Sequence, residues 1–128
     1  MKPPTAIKTL GMELVGAGDG KASLKIRVGE RFHNPMGTVH VGVMTDLADA
    51  TMGIAVMTTL AEGESFATLK LRMNFLRPVV EDVFGSTAEV VRRGKTIALA
   101  GSVLKNKAGR EVARAPSGPN VPSLFEIA

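Results

Sequence analysis

Residues 21 to 28, KASLKIRV, alternate polar and apolar positions without a break, a pattern that predicts a half-buried β-strand. The run GMELVG before it is set off by the glycine-rich GAGDG, so the two runs together read as an N-terminal β-hairpin. From Gly42 to Thr58 the period changes. Val43, Leu47, Ala50, Ile54 and Met57 recur at steps of four and three and so share one face of a helix. After AEGES the alternation returns, with Ala67, Leu69, Leu71, Met73 and Phe75 on one face of a strand and Thr68, Lys70, Arg72 and Asn74 on the other. Pro78 ends or bulges that strand. Two further runs, Val83 to Arg92 and Thr96 to Lys105, are joined by RRGK, and NKAG leads into a short last run, Arg110 to Ala115. These turns suit an antiparallel meander.

One long apolar helix among five to six antiparallel strands predicts an α+β domain whose sheet wraps the helix. A chain of 128 residues suffices for one hydrophobic core, so residues 1–128 are expected to form a single domain. The termini, 1–9 and 117–128, are expected to pack loosely. The tail from Pro116, PSGPNVPSLFEIA, carries three prolines. Exposed sheet edges and a surface left apolar would be better buried against a second copy, which points to an oligomer.

Composition narrows the chemistry. Apolar residues make up 45% of the chain and charged ones 22%, which are globular proportions. Without cysteine there is no thiolate nucleophile, disulfide or Cys-based metal site, so any catalysis must use oxygen or imidazole. The stretch from Val41 to Leu60 approaches membrane-spanning length, but Asp46 and Asp49 would each cost roughly 3 kcal/mol near a bilayer centre. It reads as a buried helix instead, with no membrane partner. MKPPTAIKTLG places two prolines where a signal peptide needs an unbroken apolar segment, so the cytoplasm is the expected compartment. The formal charge of +4 is mild, the basic residues are scattered, and neither Trp nor Tyr is present, which points away from nucleic acid. A small anionic ligand fits the charge at least as well.

The segment HNPMGTVHVGVMTDLADATMG, residues 33 to 53, sets two carboxylates into the most apolar helix of the chain. With Val43 at 0° and 100° per residue, Gly42, Gly53, Asp46 and Asp49 fall at roughly −100°, −80°, −60° and −120°. They share one flank beside the apolar stripe. The plain reading is that both aspartates face solvent or pair with a cation, and that the glycines allow close packing. The chemical reading is that a carboxylate in partly apolar surroundings acts as a general base or nucleophile. First-turn N–H groups near Val41 and Gly42 lack intrahelical acceptors and could hold an oxyanion. Both parts of an acyl-transfer site then fall within one short segment.

HNPMGTVHVGVMTDLAD, followed by TLKLRMNFLRP and VVRRGKTIALAGSVLKNKAGREVARA, resembles the hotdog-fold acyl-CoA thioesterases of the PaaI type, the 4-hydroxybenzoyl-CoA thioesterase superfamily. The resemblance covers roughly residues 10 to 116. Asn34, Gly37, His40, Gly42, Asp49 and the NFLRP of 74–78 match the family motif in order and spacing. It implies a hotdog fold and hydrolysis of an aromatic or medium-chain acyl-CoA to CoA and a carboxylic acid, as in phenylacetate degradation. Asp49 would be the catalytic carboxylate, as nucleophile or base. Asn34 would orient the thioester or water, and Thr68 would position the water. Val41 replaces the first motif glycine after His40, at the position whose N–H forms the oxyanion hole in relatives. The resemblance further implies that these groups meet across a dimer interface and that dimers commonly pair into homotetramers.

Other residues have plainer roles open to them. His33 and His40, seven apart with no third ligand nearby, do not have a zinc spacing, and no metal is expected. His40 more simply holds its loop by hydrogen bonds. GAGDGKAS fails as a phosphate loop, since Val15 stands where a glycine is needed and Ala22 follows Lys21. Arg77 and the turn cations Arg92, Arg93 and Lys95 are candidates for the CoA phosphates, with a solvated β-turn as the alternative. Coenzyme A would be part of the substrate, and no separate cofactor is expected. Two rival readings stand beside the hydrolase: a non-catalytic acyl-CoA binding or sensing protein, and an enoyl-CoA hydratase or dehydratase that would need His40 to face the ligand.

Overall fold

The computed structural model describes residues 11–27, 41–77, 83–115 and 123–128. The chain opens with a hairpin of β1 (Met12–Gly18) and β2 (Lys21–Arg27). Its turn is Asp19–Gly20, with φ of 52° and 76°, the mirror-image two-residue geometry whose twist matches that of the flanking strands. GAGDG is therefore less of a separator than its composition implied. Gly16, Ala17 and Gly18 continue the strand opposite Ser23, Ala22 and Lys21, after a register shift between Leu14 and Gly16.

Helix α1 (Val41–Met57) follows, then β3 (Phe66–Lys70), β4 (Asn74–Phe75), β5 (Val83–Arg93), β6 (Ile97–Asn106), β7 (Glu111–Ala115) and β8 (Ser123–Ile127). The strands run in the order β1-β2-β5-β6-β7-β4, and β8 lies between β6 and β3. Every pairing is antiparallel. Since β5 occupies one edge of β6, β7 and β8 share the other, with Ala115 opposite Ser102 and Ser123 opposite Ala100. They are two parts of one row, and β4 and β3 are two parts of the next. The sheet thus has the expected number of rows, built from more segments than the alternation predicted. Wrapped around α1, it has the α+β hotdog arrangement.

The C-terminal end corrects an expectation. Residues 123–127, placed in a loosely packed tail, form β8 and bury Ser123, Phe125 and Ile127. Main-chain hydrogen bonds join Ala128 to Ser65 in both directions, at 2.8 and 2.9 Å. The prolines hid this, because SLFEI beyond Pro122 carries its own strand alternation. The rest of that expected tail, 117–122, lies outside the described residues, as does the other terminus, 1–9.

The core is the wrapped helix. Val43, Leu47 and Ile54 of the expected stripe are buried, whereas Ala50 and Met57 are only partly so. Burial also extends to Met44, Ala48, Met52, Ala55 and Val56, because a curved sheet covers more than one face of the helix. Leu24, Ile26, Phe84, Leu104, Val112 and Phe125 close over it from the strands. The end of α1 is fastened without a glycine cap. Thr58 Oγ1 donates to the Ala55 carbonyl and accepts the Gly20 N–H at 2.8 Å, while Thr59 Oγ1 donates to the Val56 carbonyl. No helix among the described residues is long and apolar enough to cross a membrane.

Candidate active site

Thr68 on β3 donates its hydroxyl to Asp49 Oδ1 on α1 at 2.9 Å. This contact depends on a local irregularity. Strict alternation along residues 67–75 predicts Leu69 inside and Thr68 outside. A register shift between Thr68 and Lys70 reverses the faces partway along the row. Before it, Phe66 and Thr68 face the helix and Leu69 is 53% exposed; after it, Leu71 and Met73 pack against the core. The row is also broken between β3 and β4, where the Arg72 N–H goes to Ser123 Oγ at 3.2 Å instead of to a neighbouring backbone. The bulge is what brings a hydroxyl to the carboxylate, and the resemblance named Thr68 where the alternation did not.

One oxygen of Asp49 is thereby held. The other has no hydrogen-bond partner among the described residues, in a side chain only partly buried. Asp46, one turn earlier on the same flank, is exposed and has neither hydrogen bond nor ion pair among the described residues. Partial burial, and after it the negative charge of Asp49, raise the Asp46 carboxyl above the ordinary aspartate value.

The glycines of this flank serve two ends. Gly42 is exposed, and a Cβ there would meet nothing within 4 Å among the described residues, so none of these covers the first-turn N–H groups. Gly53 is buried, and a Cβ there would come 3.2 Å from the Phe66 ring, which tilts against Phe125 with ring centroids 6.1 Å apart. Gly53 therefore allows the close packing of an aromatic ring on the helix. Val41 stands in the first turn with its side chain 56% exposed. Its φ is not positive, so the branched side chain is compatible with its backbone and the N–H remains a donor.

Geometry also changes how the two parts combine. Seven residues of helix separate Gly42 from Asp49, about 10 Å of axial rise, and first-turn N–H groups point away from Asp49 toward the helix start. One chain therefore cannot bring both to the same carbonyl, although they are close in sequence.

The expected phosphate-binding cations do not gather in one place. Arg92 and Arg93 end β5 and Lys95 sits in the turn before β6, while Arg77 donates Nε to the Glu111 carbonyl at 3.1 Å, beyond the far end of β6. Those two ends are roughly 25 Å apart at 3.3 Å per residue. Arg92, Lys95 and Arg77 are exposed. Arg93 is committed elsewhere. It pairs with Glu64 at 2.6 Å and donates to Thr59 Oγ1 at 3.2 Å and to the Gly94 carbonyl, tying the end of α1 to the β5–β6 turn. The alternation and turn signals carry no hint of this clamp. Asn34, Gly37 and His40 lie outside the described residues. No group of three or more His, Cys, Asp or Glu able to hold a metal occurs among the described residues.

The arrangement of a helical carboxylate, a strand hydroxyl and first-turn N–H groups can be set beside known proteins. Residues 36–113 match the Thioesterase superfamily profile. The chain belongs to the thioesterase superfamily. Human acyl-coenzyme A thioesterase 13 is 32% identical over 97 residues, spanning 74% of this chain and 68% of the relative. A 1,4-dihydroxy-2-naphthoyl-CoA hydrolase from Listeria monocytogenes is 30% identical over 89 residues, 70% of this chain and 72% of the relative. The solved structure of a phenylacetic acid degradation-related protein from Ralstonia eutropha JMP134 aligns with a TM-score of 0.86 at 26% identity, covering 98% of this chain and 92% of that one. As a member of this superfamily, the chain is a thioester hydrolase with a PaaI-like hotdog fold.

Proposed function

We propose that this thioesterase hydrolyses acyl-CoA esters, with Asp49 as the working carboxylate, at a site completed by a second copy of the chain. The carrying observation is the Thr68–Asp49 hydrogen bond. It fixes one carboxylate oxygen, the other has no hydrogen-bond partner among the described residues, and the lone pairs of the Thr68 oxygen can accept a hydrogen bond from water, which supports a water-positioning role. In the base form of the reaction, Asp49 takes a proton from water and the hydroxide adds to the thioester carbonyl carbon. The C–S bond then breaks, and the thiolate recovers a proton from the Asp49 carboxylic acid. In the nucleophile form, Asp49 displaces the thiolate to give a mixed anhydride that water opens. The oxyanion in either form is held by first-turn N–H groups, in the environment of Val41 and Gly42.

The same geometry supports a homodimer. Since the N–H groups of one chain lie about 10 Å from its own Asp49 and face away from it, the carbonyl needs those of another copy. β3 supports this reading, being an edge strand that pairs only with β8 among the described strands and that leaves Leu69 exposed beside Thr68. Dimers would pair further into tetramers. Asn34 and His40 would complete the pocket from the segment before α1. Arg77, Arg92 and Lys95 are the cations open to the CoA phosphates, and no cofactor beyond the substrate's own CoA is invoked. A relative named for a naphthoyl-CoA favours aromatic acyl groups, and one named for acyl-coenzyme A without a stated chain keeps medium-chain groups among the substrates to try.

The test is thiol release from phenylacetyl-, hydroxybenzoyl- and medium-chain acyl-CoA, with wild type beside Asp49→Asn. At least one ester should turn over, and Asp49→Asn should lower kcat/KM by about a hundredfold or more while melting within a few degrees of wild type. Binding of CoA esters with no thiol release by wild type would sink the hydrolase reading in favour of a binding protein.

A further inference from the structure

Asp46 has no structural role among the described residues. The ion pairs there are Lys25–Glu13, Arg93–Glu64 and Arg114–Glu111, and none involves it. Its neighbour Thr45 turns its hydroxyl back to the Val41 carbonyl at 3.0 Å. Asp46 lies beyond the first helical turn, which carries no acidic residue, so it gains little from the helix dipole. A second aspartate three residues on is an unfavourable like-charge neighbour. What remains is an exposed carboxylate on the reacting flank.

Its distance from the chemistry follows from helix geometry. Side chains three apart on a helix have Cβ atoms about 5 to 6 Å apart, and Asp49's charge registers on the Asp46 carboxyl. An acyl carbon attacked at Asp49, directly or through one water, therefore lies roughly 8 to 11 Å from Asp46. We propose that Asp46 sets the acyl selectivity of this site, admitting uncharged acyl groups and excluding those that carry a carboxylate of their own. This rests on the reading of Asp49 as the carboxylate that works on acyl-CoA. A negative substituent about 10 Å from Asp46, at an effective dielectric constant of about 20 to 40, would be disfavoured by about fourfold to sixteenfold. The phosphates of CoA are common to every substrate and cancel from a comparison between two of them.

The experiment measures the ratio of kcat/KM for an anionic acyl-CoA over its uncharged counterpart. Glutaryl- is set against pentanoyl-CoA if wild type accepts aliphatic esters, and 4-carboxybenzoyl- against 4-methylbenzoyl-CoA if it accepts aromatic ones. In Asp46→Asn and in Asp46→Ser the ratio should rise about tenfold over wild type. In wild type itself it should climb with ionic strength more steeply than in either variant. The ratio is unaffected by a loss common to both substrates, and the salt series on wild type needs no variant to fold. A ratio within about threefold of wild type in the variants, with a salt response no different from theirs, would overturn the proposal while leaving the hydrolase intact. If wild type releases thiol from no uncharged ester of either class, the hydrolase reading fails and the selectivity goes with it.

Discussion

The two halves of α1 have opposite environments. From Thr51 to Val56 every residue is buried, Gly53 lies under the Phe66 ring, and the threonines at the end are fastened to Gly20 and Arg93. From Val41 to Asp49 the helix keeps a flank with Val41, Gly42 and Asp46 exposed and with Asp49 held, among the described residues, only through Thr68. The later half is an anchor whose ordering is supplied by packing. The earlier half can then carry two carboxylates and first-turn N–H groups with little packing from the described residues on that side, because the anchor fixes its direction. Composition alone does not separate the halves, since each is apolar and each holds a glycine.

The glycines offer the sharpest way to break this contrast. Gly53→Val would drive a branched side chain into a ring already 3.2 Å from the first added carbon, and should cost about 1 to 3 kcal/mol, read as a lower Tm or denaturation midpoint. Gly42→Ala meets nothing within 4 Å among the described residues and replaces a poor helix former, so it should leave stability unchanged or raise it by up to about 1 kcal/mol. The same substitution should slow thiol release, because a methyl group then stands beside the N–H that an incoming thioester must reach. Equal destabilisation by both variants would show that the halves are packed alike.

Next in size is the link between helix and strand. Thr68→Val keeps the shape and the strand preference but removes the donor to Asp49. It should lower kcat/KM by about tenfold, with Tm changed little and Thr68→Ser recovering most of the rate. A loss carried wholly by KM would mean that Thr68 contacts substrate instead of orienting the carboxylate.

The sheet wrapped around one helix was legible because each row alternates and α1 has its own period. What escaped was set by registry between rows. The break between β3 and β4 and the reversal at Thr68 follow from pairing with β8, a strand that the prolines before it concealed. The site was legible in part. Asp49 is named by the family motif and Thr68 by the resemblance beyond that motif, and the flank shared by Asp46 and Asp49 follows from helix geometry. The separation of the first-turn N–H groups from Asp49 needed the axial rise as well as the angles. The commitment of Arg93 to Glu64 joins residues 29 apart, which no local pattern encodes.

The smallest expected effect concerns Asp46 and pH. Its carboxyl is raised in the folded protein, first by partial burial and second by Asp49, whereas in the unfolded chain it has the ordinary value. Below that ordinary value it is protonated in both states and costs nothing. As pH rises through the window from the ordinary to the raised value, the folded state holds its proton longer, so stability relative to a neutral side chain falls. Above the window the carboxylate is charged in both states and the full penalty remains. Asp46→Asn should therefore melt slightly higher than wild type at neutral pH, and the gain should vanish when the pH drops below the ordinary aspartate range. Repeating the comparison with Asp49→Asn in both proteins should shrink the gain without abolishing it, since burial is the larger cause. A gain that disappears in that background would mean that repulsion from Asp49, and not burial, is what raises the Asp46 carboxyl. A Tm lowered at neutral pH by Asp46→Asn would mean that the carboxylate has a favourable partner outside the described residues, and the earlier half of α1 would then be less open than its exposed flank indicates.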